Sequence, residues 1–146
     1  MSACLAGRAC THRGGDNAVE DLLPLAAEAV LVCPEVEGGL GTPRPAAEIV
    51  GGDGHDVLDG RARVLTVDGE DVTDQFVRGA EVAVAAARAA GVAQAILKSR
   101  SPSCGCGGTY DGTFTHTLVT GDGVAAAALR RAGIEVRTEE DHHDGS

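Results

Sequence analysis

Apolar residues along this chain form short compact runs that alternate with faces at helical spacing. The run Ala29–Cys33 is apolar throughout and Ala93–Leu97 is apolar except at Gln94, which predicts two buried parallel strands. The strongest helical pattern covers Asp74–Ala90, with Thr73 as its predicted N-cap and Gly91 in position to end it. Strands and helices that alternate in this way indicate an α/β domain.

Weaker patterns complete this prediction. They comprise a helix over 18–28 with Asn17 as N-cap, a strand over 61–67, a helix over 123–132 and a strand over 134–137. The resulting order predicts a three-layer, Rossmann-like α/β domain over residues 1–138 with a mainly parallel sheet. The acidic segment 139–146 is predicted to be a disordered tail.

Two Gly/Pro-rich stretches, 34–60 and 101–108, are predicted to be long active-site loops. In an open parallel sheet, ligands bind beyond the carboxyl ends of the strands. Cys33 ends one predicted strand, Cys104 follows another by a few residues, and Cys4 would follow the first. We therefore expect these three cysteines, far apart in sequence, to meet at one edge of the sheet.

Charge and composition narrow the possible partners. The chain has 146 residues, with 12 Lys and Arg against 22 Asp and Glu, so its net charge of −10 disfavours a broad surface for duplex nucleic acid. No apolar run is long enough for a membrane span and no signal peptide is visible, so a cytoplasmic location is expected. One lysine beside eleven arginines, with abundant Ala and Gly, is typical of a bacterial genome rich in G and C.

Five cysteines in a chain of this kind argue against a disulfide framework. A structural zinc site is typically built from closely spaced pairs, whereas the only close pair here is Cys104 and Cys106. An iron–sulfur cluster does not need such pairs, and three ligands would leave one iron of a four-iron cluster open. A metal or cluster site, a reactive thiol and inert buried cysteines all remain open on spacing alone.

Specific motifs go further than spacing. The chain strongly resembles the thiouracil desulfurase family over nearly its whole length, from Ser2 to about Glu139. The resemblance rests on these blocks, in this order: Ser2–Gly7, Cys10, Val32–Leu40, Thr42–Ile49, Asp71–Thr73, Ile96–Lys98, Ser101–Gly105 and Tyr110–Phe114. It implies a desulfidase that removes sulfur from thiolated pyrimidines by a non-redox, hydrolytic route, with a [4Fe–4S] cluster held by three cysteines.

The same resemblance implies the ligands Cys4, Cys33 and Cys104, with Cys10 as a possible fourth ligand or sulfur acceptor. Glu35 is the best placed carboxylate to act as a base, although a solvated loop acid is the simpler alternative. Ser101 is a candidate to position water, with a turn residue before proline as its alternative.

Three further residues are candidates for contact with the substrate. Arg44 lies between two prolines, and a loop-anchoring salt bridge with Glu48 is its alternative role. Tyr110 and Asp111 precede Gly112, and a turn-stabilising Asp explains them equally well. The expected substrate is a small thiolated base or nucleotide.

The chain departs from the family pattern at two places. Met1 lies almost next to the first cysteine motif, so we expect either a short strand before that motif or a misassigned start of the sequence. After Cys10 the chain reads Thr11–Gly14, without the Tyr-Asp pair of the family pattern, which leaves its preferred thiolated substrate open. Two other hypotheses remain: a metal- or cluster-binding module without turnover, and a thiol enzyme that transfers sulfur through a persulfide.

Overall fold

The computed structural model describes residues 1–3, 32, 34–41, 44–98, 100–105, 107–115 and 117–138. The helix predicted over 18–28, all of the strand predicted over 29–33 except Val32, and the predicted tail 139–146 lie outside these residues. The division into one domain and a tail therefore stays a prediction.

The described residues form four helices and six strands. The helices are α1 (Pro34–Glu37), α2 (Gly54–Leu58), α3 (Thr73–Ala90) and α4 (Val124–Arg131). The strands are β1 (Ala47–Val50), β2 (Arg63–Thr66), β3 (Gln94–Leu97), β4 (Gly108–Tyr110), β5 (Leu118–Thr120) and β6 (Glu135–Thr138).

Parallel pairing is present where the alternating pattern predicted it. β3 pairs with β6 in parallel, with Gln94 opposite Glu135. The N-terminal residues lie beside β3, because the backbone N–H of Ser2 donates to the carbonyl of Ile96 over 3.0 Å. Ser2 also forms a parallel bridge with Val32.

The other two sheets are antiparallel. β1 pairs with β2, and β4 pairs with β5. The described part of the chain is thus a mixed α/β fold with three small two-stranded sheets. A three-layer arrangement with one mainly parallel sheet is not confirmed and stays a prediction.

The stretch 34–60 is not one long loop, so that prediction was wrong. It contains α1, β1 and α2. A capping box starts α2: the Asp53 carboxylate accepts from the Asp56 N–H, and the Asp56 carboxylate accepts from the Asp53 N–H. The second predicted loop, 101–108, ends where β4 begins at Gly108.

The long helix α3 agrees with the prediction except at its first residue. Gly91 ends it in the left-handed conformation, with φ of 65°. Thr73 is the first helical residue rather than the N-cap, because its hydroxyl accepts from the Val64 N–H of β2 over 2.9 Å. The side chain therefore joins the helix to the sheet instead of capping the helix.

The apolar core has two parts, and α4 contributes to both. One contains Phe76 and Ile49, together with Val124 at the start of α4. The other contains Leu97 of β3 and Leu129 of α4, and Cys104 is buried in it. The loop that carries Cys104 is consequently part of the packed interior.

Candidate metal centre and active site

The turn around Cys104 is organised by Ser101. The Ser101 hydroxyl oxygen accepts from the backbone N–H of Ser103 over 3.1 Å and from that of Cys104 over 3.0 Å. The Gly105 N–H donates to the Ser101 carbonyl over 2.8 Å. Ser101 is thus a turn residue, which is the alternative role considered for it above. Its hydroxyl oxygen accepts two hydrogen bonds, so the hydroxyl can take part in further contacts only by donating its O–H.

This turn sits on the N-terminus of α4. The first N–H groups of a helix have no partner within the helix, so they need one elsewhere. Here the Val124 N–H donates to the Pro102 carbonyl and the Ala125 N–H donates to the Ser103 carbonyl, each over 2.8 Å. The Gly123 N–H donates to the Gly105 carbonyl over 2.7 Å.

Two glycines permit this close approach. A Cβ at Gly123 would lie 2.5 Å from the Ser103 carbonyl oxygen, and one at Gly105 would lie 2.6 Å from the Ser101 carbonyl oxygen. Real Cβ atoms essentially never come nearer than 3.0 Å. The backbone of Cys104 is therefore fixed by contacts that no larger side chain would permit.

Asp122 anchors the far side of the same loop. Its Oδ1 accepts from the Gly107 N–H over 2.8 Å, and its Oδ2 lies 3.0 Å from Arg130 Nε and 3.2 Å from His55 Nε2. Arg131 Nε donates to His55 Nδ1 over 3.2 Å, so His55 presents its Nε2–H to Asp122. Sequence reasoning missed Asp122, although an Asp directly before the glycine at a helix start was a visible signal.

Glu35 and Arg44 form a shielded ion pair. Arg44 Nε donates to Glu35 Oε1 over 3.1 Å, and the two side chains are only 7% and 18% exposed. Arg44 also donates from Nη1 to the Gly41 carbonyl over 3.2 Å. Glu35 is therefore not a solvated loop acid, and the salt bridge considered for Arg44 is formed with Glu35 rather than with Glu48.

Glu48 holds the loop that follows β4. Its buried carboxylate accepts through Oε1 from the N–H of Gly112 over 3.0 Å and from that of Phe114 over 3.2 Å. Asp111 accepts from the Thr113 N–H and hydroxyl over 2.9 and 2.6 Å. The hydrogen bond from the Thr113 hydroxyl lowers the pKa of Asp111. Asp111 thus stabilises a local turn, which is the alternative to a substrate contact that was considered for it.

Of the candidate cluster ligands, only Cys104 lies within the described residues; Cys4, Cys10 and Cys33 lie outside them. The neighbours of Cys4 and Cys33 are nevertheless joined, since the Ala3 N–H donates to the Val32 carbonyl over 2.9 Å. Burial lowers the pKa of the Met1 amino group, and nearby Cys104 opposes that shift. These contacts are consistent with convergence of the three cysteines, which itself stays a prediction.

The surroundings of Cys104 fit a sulfur-rich iron cluster. The thiol is a soft donor, and its residue is 5% exposed. The hydroxyls of Ser103 and Thr109 are buried without a hydrogen-bond partner in the described structure. Such donors are suited to sulfide or thiolate acceptors near the turn. Among described residues no group of three metal-ligating side chains occurs, so a complete site would need ligands from elsewhere in the chain.

Comparison with known proteins identifies the family. A sequence profile of the 2-thiouracil desulfurase family matches residues 1–141. The uncharacterized protein YbbK of Bacillus subtilis is 45% identical over 146 residues, which is 99% of this chain and 97% of that protein.

A solved structure is also similar. It is described as a [4Fe-4S]-dependent thiouracil desulfidase, TudS, and matches with a TM-score of 0.84 and 41% identity, over 98% of this chain and 91% of that one. The chain belongs to the 2-thiouracil desulfurase family. No described helix has the length and apolar character needed to cross a membrane.

Proposed function

We propose that this protein is a [4Fe–4S]-dependent desulfidase that converts thiolated pyrimidines of the thiouracil type to uracil-type products and sulfide. The family and the named activity of the similar structure support this proposal. The observation that carries it in this chain is the buried Cys104 turn, fixed on the N-terminus of α4.

Three thiolates would hold the cluster: Cys104 from the turn, together with Cys4 and Cys33. When bound, the cluster would supply a Lewis-acidic iron with affinity for a soft thiocarbonyl sulfur. Cys10 stays a candidate fourth ligand or sulfur acceptor.

The remaining residues would manage water and protons. In the net reaction, water adds its oxygen to the thiocarbonyl carbon, and the resulting C–S single bond breaks with both electrons on sulfur. The C=S group thus becomes C=O, and the two protons of water leave with the sulfide as H₂S. Glu35 would accept a proton from the attacking water, and Arg44 keeps this carboxylate at a fixed position. Ser101 would donate its O–H to the attacking water or to the carbonyl oxygen of the substrate, since its own oxygen already accepts hydrogen bonds from two N–H groups.

The substrate is expected to be a small base or nucleotide. Tyr110 lies in β4, and its contact with the substrate stays a proposal. Arg44 donates to Glu35, so we propose that it orients the base, and its contact with the substrate also stays a proposal. We also propose a cytoplasmic location, because free cysteine thiols persist under reducing conditions.

The test begins with anaerobic purification, measurement of iron and acid-labile sulfide, and assay of sulfide release from 2-thiouracil and 4-thiouracil. We expect about four iron and four sulfide per chain, with Cys33→Ala and Cys104→Ala losing both the cluster and turnover. Glu35→Gln should retain iron and lose about 100-fold or more in turnover.

Glu37→Gln, the same substitution two residues along α1 at an exposed position, is the matched control and should leave turnover unchanged. Full iron loading in both cysteine variants would refute the ligand assignment. Zinc in place of iron after reconstitution would favour a structural module, and sulfur transfer by iron-free protein would favour the persulfide enzyme.

A further inference from the structure

The chain is almost without aromatic residues, and their placement is uneven. It has no Trp, one Tyr and two Phe. Phe76 is fully buried in the core. The other two, Tyr110 and Phe114, lie within one five-residue stretch, and both are partly exposed. If a Phe or Tyr side chain stacks on a flat heterocyclic ligand, it must therefore come from this stretch.

The backbone at Phe114 is strained. Its φ is 61°, and the only other described non-glycine residue with positive φ is Arg100, at 63°. Bulky side chains rarely adopt this conformation, which glycine or asparagine would occupy at lower cost. Strain of this kind persists where the surrounding structure enforces it, and it clusters at binding sites.

A buried carboxylate enforces this strain. Glu48 accepts from the N–H groups on both sides of Thr113, so it holds Gly112 and Phe114 to β1. A Cβ at Gly112 would lie 2.7 Å from the Ile49 carbonyl oxygen, which shows how closely the loop approaches that strand. The Glu48 side chain thus fixes the direction in which Phe114 leaves the loop.

The stretch from Thr109 to Phe114 contacts the Cys104 turn at one end and β1 at the other. On one side, Thr109 of β4 forms a parallel β-bridge with Arg100. Its side chain also lies close to the Cys104 turn, because a Cβ at Gly105 would be 3.1 Å from Thr109 Cγ2. On the other side is β1, which begins three residues after Arg44. Phe114 follows Thr109 by five residues in the same stretch, and an extended chain of that length spans at most ~18 Å, which limits how far Phe114 can lie from Thr109.

From this placement we propose that Phe114 is a specificity-determining residue, which stacks on the pyrimidine ring of the substrate, and that Glu48 is its positioning residue. The inference deepens the proposed function and rests on it for the identity of the ring. It assigns recognition of the ring to Phe114 and leaves recognition of the thiocarbonyl sulfur to the cluster site.

The test compares ring binding with sulfur chemistry in wild type, Phe114→Leu and Phe114→Tyr. Uracil affinity is measured by anaerobic calorimetry, and KM and kcat for 2-thiouracil by sulfide release, both on reconstituted protein of equal iron content. Loss of the aromatic face in Phe114→Leu should weaken uracil binding and raise KM by about 5- to 150-fold. Phe114→Tyr retains the ring and should stay within about threefold of wild type.

Thiourea, a thiocarbonyl without an aromatic ring, is the matched control ligand. Any sulfide release from it should be the same in wild type and Phe114→Leu, because there is no ring to stack. Phe114→Gly, which suits the positive φ, should lose uracil affinity while remaining folded. Glu48→Ala should reproduce part of the loss, and Glu48→Gln, which keeps the acceptor oxygen, should restore it.

Equal uracil affinity in wild type, Phe114→Leu and Phe114→Gly would overturn the inference. An equal loss with thiourea would also overturn it, since the defect would then lie in sulfur chemistry. If wild type binds uracil through Phe114 but releases no sulfide from any thiolated pyrimidine, the proposed function fails and the stacking site stands.

Discussion

Replacing Gly123 by alanine tests whether the contact between α4 and the Cys104 turn is as tight as the structure shows. The new Cβ would lie 2.5 Å from the Ser103 carbonyl oxygen and 2.8 Å from that of Ser101. Ordinary van der Waals contact begins at 3.4 Å, so the turn and the helix must separate by about 0.9 Å. The two hydrogen bonds of 2.8 Å from Val124 and Ala125 to the turn would then exceed 3.5 Å.

The cost follows from these losses. Two buried hydrogen bonds contribute about 1 kcal/mol each, and overpacking adds about 1–3 kcal/mol. Gly123→Ala should therefore lower the free energy of unfolding by about 3–5 kcal/mol, a large part of the roughly 5–15 kcal/mol of a typical domain.

The assay is urea unfolding of iron-free protein, followed by iron content after reconstitution. Gly108→Ala is the matched control in the same segment, because its Cβ would meet nothing nearer than the Val119 carbonyl oxygen at 3.9 Å. The control should change stability by less than about 0.5 kcal/mol and bind iron normally. An unfolding midpoint for Gly123→Ala equal to that of the control, with full iron, would refute the steric argument.

Two further predictions concern the charged groups around this contact. Asp122→Asn should lower the free energy of unfolding by about 1–3 kcal/mol in urea titrations. In either orientation, the new NH₂ group would face another donor, the Gly107 N–H on one side or Arg130 and His55 on the other. An unchanged free energy of unfolding would show that the carboxylate is not needed. The free energy of unfolding should also fall as the pH drops below about 4. Hydrogen bonds lower the pKa of four aspartates below the ordinary 3.8: Asp56, Asp59, Asp71 and Asp111. The stability that these carboxylates contribute above that pH is lost as they become protonated. Arg131→Gln should reduce this dependence in urea midpoints measured from pH 5 to pH 2, whereas an unchanged slope would contradict the role of its bond to Asp59.

Local sequence signals predicted the elements whose determinants are local. α3 begins one residue before the prediction and ends at the predicted glycine. Both its periodic apolar face and the left-handed glycine that ends it are determined by residues close together in the sequence. β4 and β5 have only three residues each and were missed. Their pairing depends on partners that a short run of sequence does not specify.

The residues of the candidate site also divide into those that a local motif indicates and those that depend on distant partners. Cys104, Ser101 and Glu35 are candidates because each lies in a block of specific residues, and their roles stay predictions. The ion-pair partner of Arg44 was misjudged: a loop-anchoring salt bridge with Glu48 was the alternative considered, whereas the fold pairs Arg44 with Glu35. Glu48 reaches Gly112 across 64 positions of sequence, and Asp122 reaches His55 across 67, so neither contact could be predicted from one sequence.

The way the Cys104 turn is held also bears on the choice between an enzyme and a structural metal module. In domains that need metal to fold, the ligands are brought together chiefly by the metal. Here the turn is fixed by the N–H groups of α4, by Asp122 and by the Ser101 hydroxyl, all of which are bonds within the protein. Such a turn should keep its conformation without iron, so iron-free protein should remain folded. A ligand-bearing turn that is held by the protein itself favours a preorganised catalytic site over a fold that depends on its metal.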